Sequence, residues 1–268
     1  MIKEKKDQRK EIKTKNLLKT IKIYIFCLLI LAINWLVGVN PVRAQLRAED
    51  IIEKSLQAQG GREILEKIKD AVVTASCKIY LPQGEILVER KIYSKVEPYK
   101  LRIEQNMLGM QVIIGYDGEK TWLQQMNNIM IAPETINNSI KASAARENLL
   151  LNYKKKGYKA EYLGESQVEN KRCHQIKIFG PEIGETIYYF DLETHWPIKA
   201  EYDALDETGQ KVRTETLSFD FRPVDKVMAP WKTIVFINGK KSMEIMIQEI
   251  KFNQNLEDAL FAMPEKTN

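Results

Sequence analysis

Histidine and cysteine are scarce in this sequence, two and three among 268 residues. No Cys-x-x-Cys or His-Glu-x-x-His spacing is present, so no protein-built zinc or iron–sulfur centre is legible. The strained Gly-x-Ser-x-Gly elbow and the phosphate-cradling Gly-x-x-x-x-Gly-Lys are missing as well. His174 and His195 are far apart in the chain, and the sequence offers no legible nucleophile–base pair. We therefore expect no enzyme, no metal and no cofactor. Internal repeats and low-complexity tracts are also lacking, which argues for one domain rather than an array.

What is present begins with an order of segments. A basic stretch leads into the apolar run Ile23-Val39 and then Val42-Arg43-Ala44. Charged, apolar and small residues in that order read as a secretory signal over 1–44, cut before Gln45, and place the working protein outside the cytoplasm. This run of 17 residues is also just long enough to span a bilayer, so the alternative is an uncleaved anchor in the inner membrane. Cys27 lies at the start of the run, without the context that lipid attachment needs. Residues 1–44 hold 10 of the 41 Lys+Arg and 3 of the 36 Asp+Glu. The remainder has 31 basic and 33 acidic residues, so the basic balance of the whole chain is no footprint for nucleic acid.

After Gln45 the period is first helical. Ile51, Ile52, Leu56 and Ala58 share a face, Gly60-Gly61 stops the helix, and a short helix follows at Arg62-Ile68. From Ala71 the period becomes two. The expected strands are Ala71-Leu81, Glu85-Tyr93, Tyr99-Gln105, Met110-Tyr116 and Thr121-Met126, joined by turns such as Pro82-Gln83-Gly84 and Asp117-Gly118. Helical spacing returns over Glu134-Lys156, weakened by Asn137, Asn138 and Ser143 into two short helices. Seven strands follow: Lys159-Val168, Cys173-Phe179, Thr186-Asp191, Ile198-Asp203, Val212-Phe221, Ala229-Ile237 and Ser242-Phe252. A helical turn at Leu256-Phe261 closes the chain.

Short links make neighbouring strands antiparallel. The expected fold is α+β: one curved antiparallel sheet of about 11–12 strands forming an unclosed half β-barrel covered by helices. Alternation puts Ile86, Val88, Ile92, Leu101, Ile103, Val112, Ile114 and Phe219 on its apolar inner face, with Leu217 and Phe221 beside Phe219. These eight residues are the expected lining of a hydrophobic cavity. Cys77 and Cys173 fall on opposite faces, which argues against a disulfide.

The runs AEDIIEKSLQAQGGREILEKIKD and GYDGEKTWLQ, then NYKKKGYKAEYLGESQVENKRCHQIKI, ETIYYFDLETHWPIKAEY and NLEDALFAMP, together resemble the outer-membrane lipoprotein-sorting protein family, the LolA/LolB-like carriers. The resemblance covers nearly all of Ala48–Pro264. It implies an unclosed antiparallel barrel wrapped around a helical lid, with a cavity for lipoprotein acyl chains in transit. Carriers of this kind use an arginine immediately before a proline, bonded to lid backbone, to control opening. The matching place here holds Glu97 before Pro98, and Arg90 on the preceding strand is the candidate substitute for gating.

Two function classes follow. The first is a monomeric periplasmic carrier or binding protein for lipoprotein or other acyl-chain lipid, with a membrane-bound donor or acceptor protein as a further partner. The second is an envelope interaction or sensor module with a filled barrel and no lipid cargo.

Overall fold

The computed structural model describes residues 47–265 apart from 108, 127 and 207; the expected signal over 1–44 lies outside them. Helix α1 (Ala48–Ala58) and α2 (Arg62–Glu66) lead into six strands. These are β1 (Asp70–Leu81), β2 (Gly84–Val96), β3 (Tyr99–Met107), β4 (Met110–Tyr116), β5 (Thr121–Gln125) and β6 (Asn128–Ile131). Helices α3 (Glu134–Arg146) and α4 (Leu149–Asn152) follow. The second strand series is β7 (Lys159–Val168), β8 (Lys171–Gly180), β9 (Gly184–Asp191), β10 (Pro197–Leu205), β11 (Lys211–Val224), β12 (Val227–Ile237) and β13 (Lys240–Phe252). A 3₁₀ turn at Asp258–Phe261 is the last element.

The strands form one antiparallel sheet in the order β6-β5-β4-β3-β2-β1-β13-β12-β11-β10-β9-β8-β7. The first and last strands of the chain's β region pair at the centre, where Cys77 lies opposite Ile245. The free edges are β6 and β7, so the sheet curves without closing. The fold class is the expected one. The strand count is thirteen, one above expectation, because the short edge strand β6 follows β5 so closely that only four residues remain to show a period.

Register assigns the faces. Opposite residues share a face, which links Val73, Ile92, Ile103, Ile114 and Leu123 across β1 to β5. The same concave surface continues through Cys77, Ile245, Thr233, Ser218 and then Thr216, Ala200, Tyr188 and Ile176 to Tyr162. Leu217 and Phe219 have the other parity. Leu217 packs with Ile198, Tyr189 and Val168 on the convex face, where Trp196 and Phe221 stack at 4.7 Å. The expected placement of Phe219 on the inner face is therefore corrected. Both faces of β11 bury apolar atoms, so apolar residues do not mark its inner side.

The main core lies between the helices and the concave side of the second strand series. Ile51, Ile52 and Leu56 of α1 and Leu149 of α4 pack with Ile176, Ile178 and Phe190, all fully or almost fully buried. Gly60 fixes how α1 ends. A Cβ there would sit 2.3 Å from the Lys226 carbonyl oxygen, and its φ of 125° suits glycine. This close approach lets the Met228 amide donate to Gln59 O at 3.0 Å.

A smaller core lies on the convex side of β3–β5. The buried Trp122 donates from Nε1 to Phe261 O at 2.8 Å. Gly115 leaves room for it, since a Cβ there would meet the indole at 2.0 Å. Asp258 ties the closing turn to Lys95 at 2.6 Å and Lys100 at 2.9 Å, and those two ammonium groups hold its carboxyl down at about 2. Cys77 and Cys173 are buried free thiols in separate clusters on opposite faces.

Candidate functional site

The helices cover the concave side unevenly. α1 crosses from β7 to the β11–β12 turn, and α3 bridges from β5 to β10. At its first end α3 is anchored by Asn137, whose Oδ1 accepts from the Thr121 amide at 3.0 Å and from Thr121 Oγ1 at 2.9 Å. At its last turn Arg146 donates to Ile183 O at 3.1 Å and to Asp203 O at 2.9 Å. Lys156 satisfies the end of the helix by donating to Ala145 O at 2.8 Å. Asn148, with φ 48°, breaks the segment into the two expected short helices.

Seven of the eight residues expected to line a cavity share the concave face of β2, β3 and β4. Ile86, Ile92, Ile103, Val112 and Ile114 are half-buried, leaving apolar surface turned into the half-barrel. Val88 and Leu101 are buried, at 0% and 9% exposure. Val88 belongs to a packed cluster with Ala75 and Cys77, so it supports the surface rather than presenting it. Phe219 stands apart, in a convex-face groove of about 380 Å³ beside Trp196 and Ile198.

Arg90 does point to the concave side. Its Nε donates to Gln105 Oε1 at 2.8 Å and its Nη1 approaches Met243 Sδ at 3.4 Å. Both partners are in the sheet. Contact with the helical segment comes instead from Glu97, which pairs with Lys155 just beyond α4 at 3.0 Å. A surface ion pair stands where the resemblance implies an arginine bonded to backbone. His174 is half-buried on the concave face, hydrogen-bonded to Tyr162 at 3.3 Å, with burial holding its pKa below the usual imidazole range.

Beneath the helices two spaces adjoin. One, of about 370 Å³, lies between the end of α3 and β9–β11 and is lined by Arg146, Glu147, Thr186, Tyr188, Tyr202 and Ser218 among others. The second, of about 340 Å³, runs under α2 and α4 toward β1, β2, β12 and β13, past Leu65, Ile68, Leu150, Ser94 and Phe252. Gln59, Arg146, Glu147, Tyr188 and Pro230 border both. Burial pushes the Glu147 carboxyl up, against the pull of Lys156. It also raises Tyr188 and Tyr202, so both phenols remain protonated donors.

None of these polar lining residues was expected from the sequence. The available signal was alternation: Thr186 and Tyr188 face Tyr202 and Ala200 across β9 and β10, on the side that also carries Ile176 and Ile178. The arrangement offers an apolar strip on β2, β3 and β4 and, elsewhere on the same concave face, a half-open space with one polar wall that none of the eight expected lining residues borders. It suits binding of an amphiphile by burial and hydrogen bonds.

The sequence matches no protein-family model and no curated protein. Solved structures do match in fold. A Vibrio parahaemolyticus domain described as an outer membrane lipoprotein-sorting protein domain superposes with a TM-score of 0.53 at 14% identity, covering 80% of this chain and 95% of that one. A LolA superfamily protein from Nitrosomonas europaea gives 0.54 at 13% identity, with 81% and 98% covered. A DUF1329 family protein from Desulfovibrio piger gives 0.54 at 13% identity, with 81% and 97% covered. The resemblance read from the sequence holds as one of fold, at identities that mark a divergent chain.

Proposed function

We propose that this protein is an exported, non-catalytic carrier or binding protein for acyl-chain lipid. The observation that carries the reading is the concave trough: half-buried Ile86, Ile92, Ile103, Val112 and Ile114 on the face that continues to two cavities of about 370 and 340 Å³. Each methylene taken from water into such a surface is worth about 0.8 kcal/mol, enough to hold a long chain without covalent chemistry. Cavities of this size and mixed lining are those that take small apolar ligands. The neighbours in fold include proteins described as lipoprotein-sorting and LolA-like, which supports lipid or lipoprotein cargo. Residues 1–44 would direct export to the periplasm, where a membrane-bound donor or acceptor completes the transfer; a retained segment would tether the carrier to the inner membrane.

The second reading is an interaction module, favoured by the convex groove around Trp196, Leu217 and Phe219. Gentle-ionisation mass spectrometry of the protein purified from its native envelope separates the two. A stoichiometric acyl lipid supports the carrier. A bare protein mass, with no uptake of added lipid, sinks it in favour of the module.

A further inference from the structure

Arg146 is half-buried and has no ion-pair partner among the described residues. Its Nη1 donates to Ala142 O at 2.9 Å, and its Nη2 donates to the carbonyl oxygens of Ile183 and Asp203. Its guanidinium lies 4.6 Å from the centre of the Tyr202 ring. Every one of these partners is neutral, and no carboxylate pairs with it among the described residues. Its Nε is buried with no hydrogen-bond partner, and so is Oγ1 of Thr186, a residue only 1% exposed. Both residues border the same cavity, as do the phenols of Tyr188 and Tyr202.

A half-buried cation without an ion pair loses part of its hydration, and an unpartnered buried donor adds to that cost. The missing group is one that accepts several hydrogen bonds and carries negative charge. The adjoining cavity says what is attached to it. That space is walled by Leu56, Leu65, Ile68, Leu150 and Phe252, so it suits an alkyl chain leaving the polar wall. Glu147 stands at the junction, and burial biases it toward its neutral acid, which reduces its repulsion of an arriving anion.

We propose that Arg146, with Thr186 and the Tyr188 and Tyr202 hydroxyls, binds the acidic head of a single-chain amphiphile, a carboxylate or a phosphate monoester, whose chain lies in the adjoining apolar space. This assignment rests on the carrier reading and narrows it. It makes the site selective for charge at the head, where a purely apolar trough would take any chain of suitable length.

The test compares three ligands with one sixteen-carbon chain: palmitate, methyl palmitate and hexadecyl phosphate. Each displaces a fluorescent acyl probe from the purified protein. The acids should bind at least about tenfold more tightly than the ester, because charge-assisted hydrogen bonds are the strong ones. Whichever acid binds more tightly identifies the head as carboxylate or phosphate. Arg146→Gln should bring the acids down to the level of the ester while leaving the ester nearly unchanged. Thr186→Val, a change of similar volume, should weaken the acids a few-fold and decides the matter if the arginine variant does not fold. Equal binding of acid and ester by the unaltered protein would overturn the head-group site and leave the carrier reading standing. No binding of any of the three would overturn both.

Discussion

The two halves of the sheet use the same alternation to different ends. Under α1 and α4, Ile176, Ile178 and Phe190 are completely buried, and their surroundings are an ordinary hydrophobic core. On the other side of the half-barrel, Ile92, Ile103 and Ile114 line up in register on β2, β3 and β4, but each stays half-buried. The first half is held by its helices; the second presents its apolar atoms. The inner face is thus core where a helix rests on it and half-open apolar surface where none does.

Matched truncations give the largest expected contrast. Phe190→Ala should cost about 3–5 kcal/mol, because it opens a void in a close-packed site. Ile103→Ala should cost clearly less, since its neighbourhood is already partly open. Urea unfolding midpoints measure both. Equal losses would mean that the trough is a filled core, and the contrast between the halves would fail.

Charge insertion sharpens the comparison within one strand. Ile92→Glu should leave a folded protein that no longer takes up a fluorescent acyl chain. Val88→Glu, four residues away and 0% exposed, should prevent folding, because an isolated carboxylate cannot be buried there. Circular dichroism together with probe uptake distinguishes them. Normal uptake by Ile92→Glu would remove that position from the lining.

A smaller effect is expected at the bridge between the halves. Asn137→Ala removes both hydrogen bonds from Thr121 to α3 and leaves a buried amide and hydroxyl short of a partner, at about 1–3 kcal/mol. Stopped-flow uptake should become faster as that end of α3 loosens; an unchanged rate would mean α3 does not limit entry.

The smallest effect depends on pH. Burial raises the Glu147 pKa above its ordinary value of 4.5, so the folded state binds its proton more tightly than the unfolded state. The resulting stabilisation is complete below the ordinary value and disappears as pH rises through the raised one. Glu147→Gln should therefore stabilise the protein at pH 7, with the advantage shrinking as pH falls through the raised value and gone below about pH 4. A constant difference across that range, measured by denaturant titration, would contradict the assignment.

How much of this was legible depends on whether one face or two are buried. β2 and β3 alternate apolar with charged residues, so Ile86, Val88, Ile92, Leu101 and Ile103 could be placed on their face from the period alone. In β11 that contrast fails: Leu217 and Phe219 face outward and Thr216 and Ser218 inward, because a convex cluster around Trp196 gives the outer face its own apolar demand. The polar wall was hidden for another reason. Arg146 and Glu147 end a helix, where charged residues are ordinary. Their enclosure depends on β9 and β10, some forty to fifty-five residues further along the chain.

The strand order has a mechanical consequence. The edges β6 and β7 are farthest apart in the sheet yet adjacent in the chain, joined only through α3 and α4. That connection works as a tether across the mouth. If the sheet flattens, the tether must straighten; if the tether slackens, the edges are free to draw together. The width of the mouth and the height of its cover therefore form one coordinate, and a cargo that wedges the edges apart would pull on its own door.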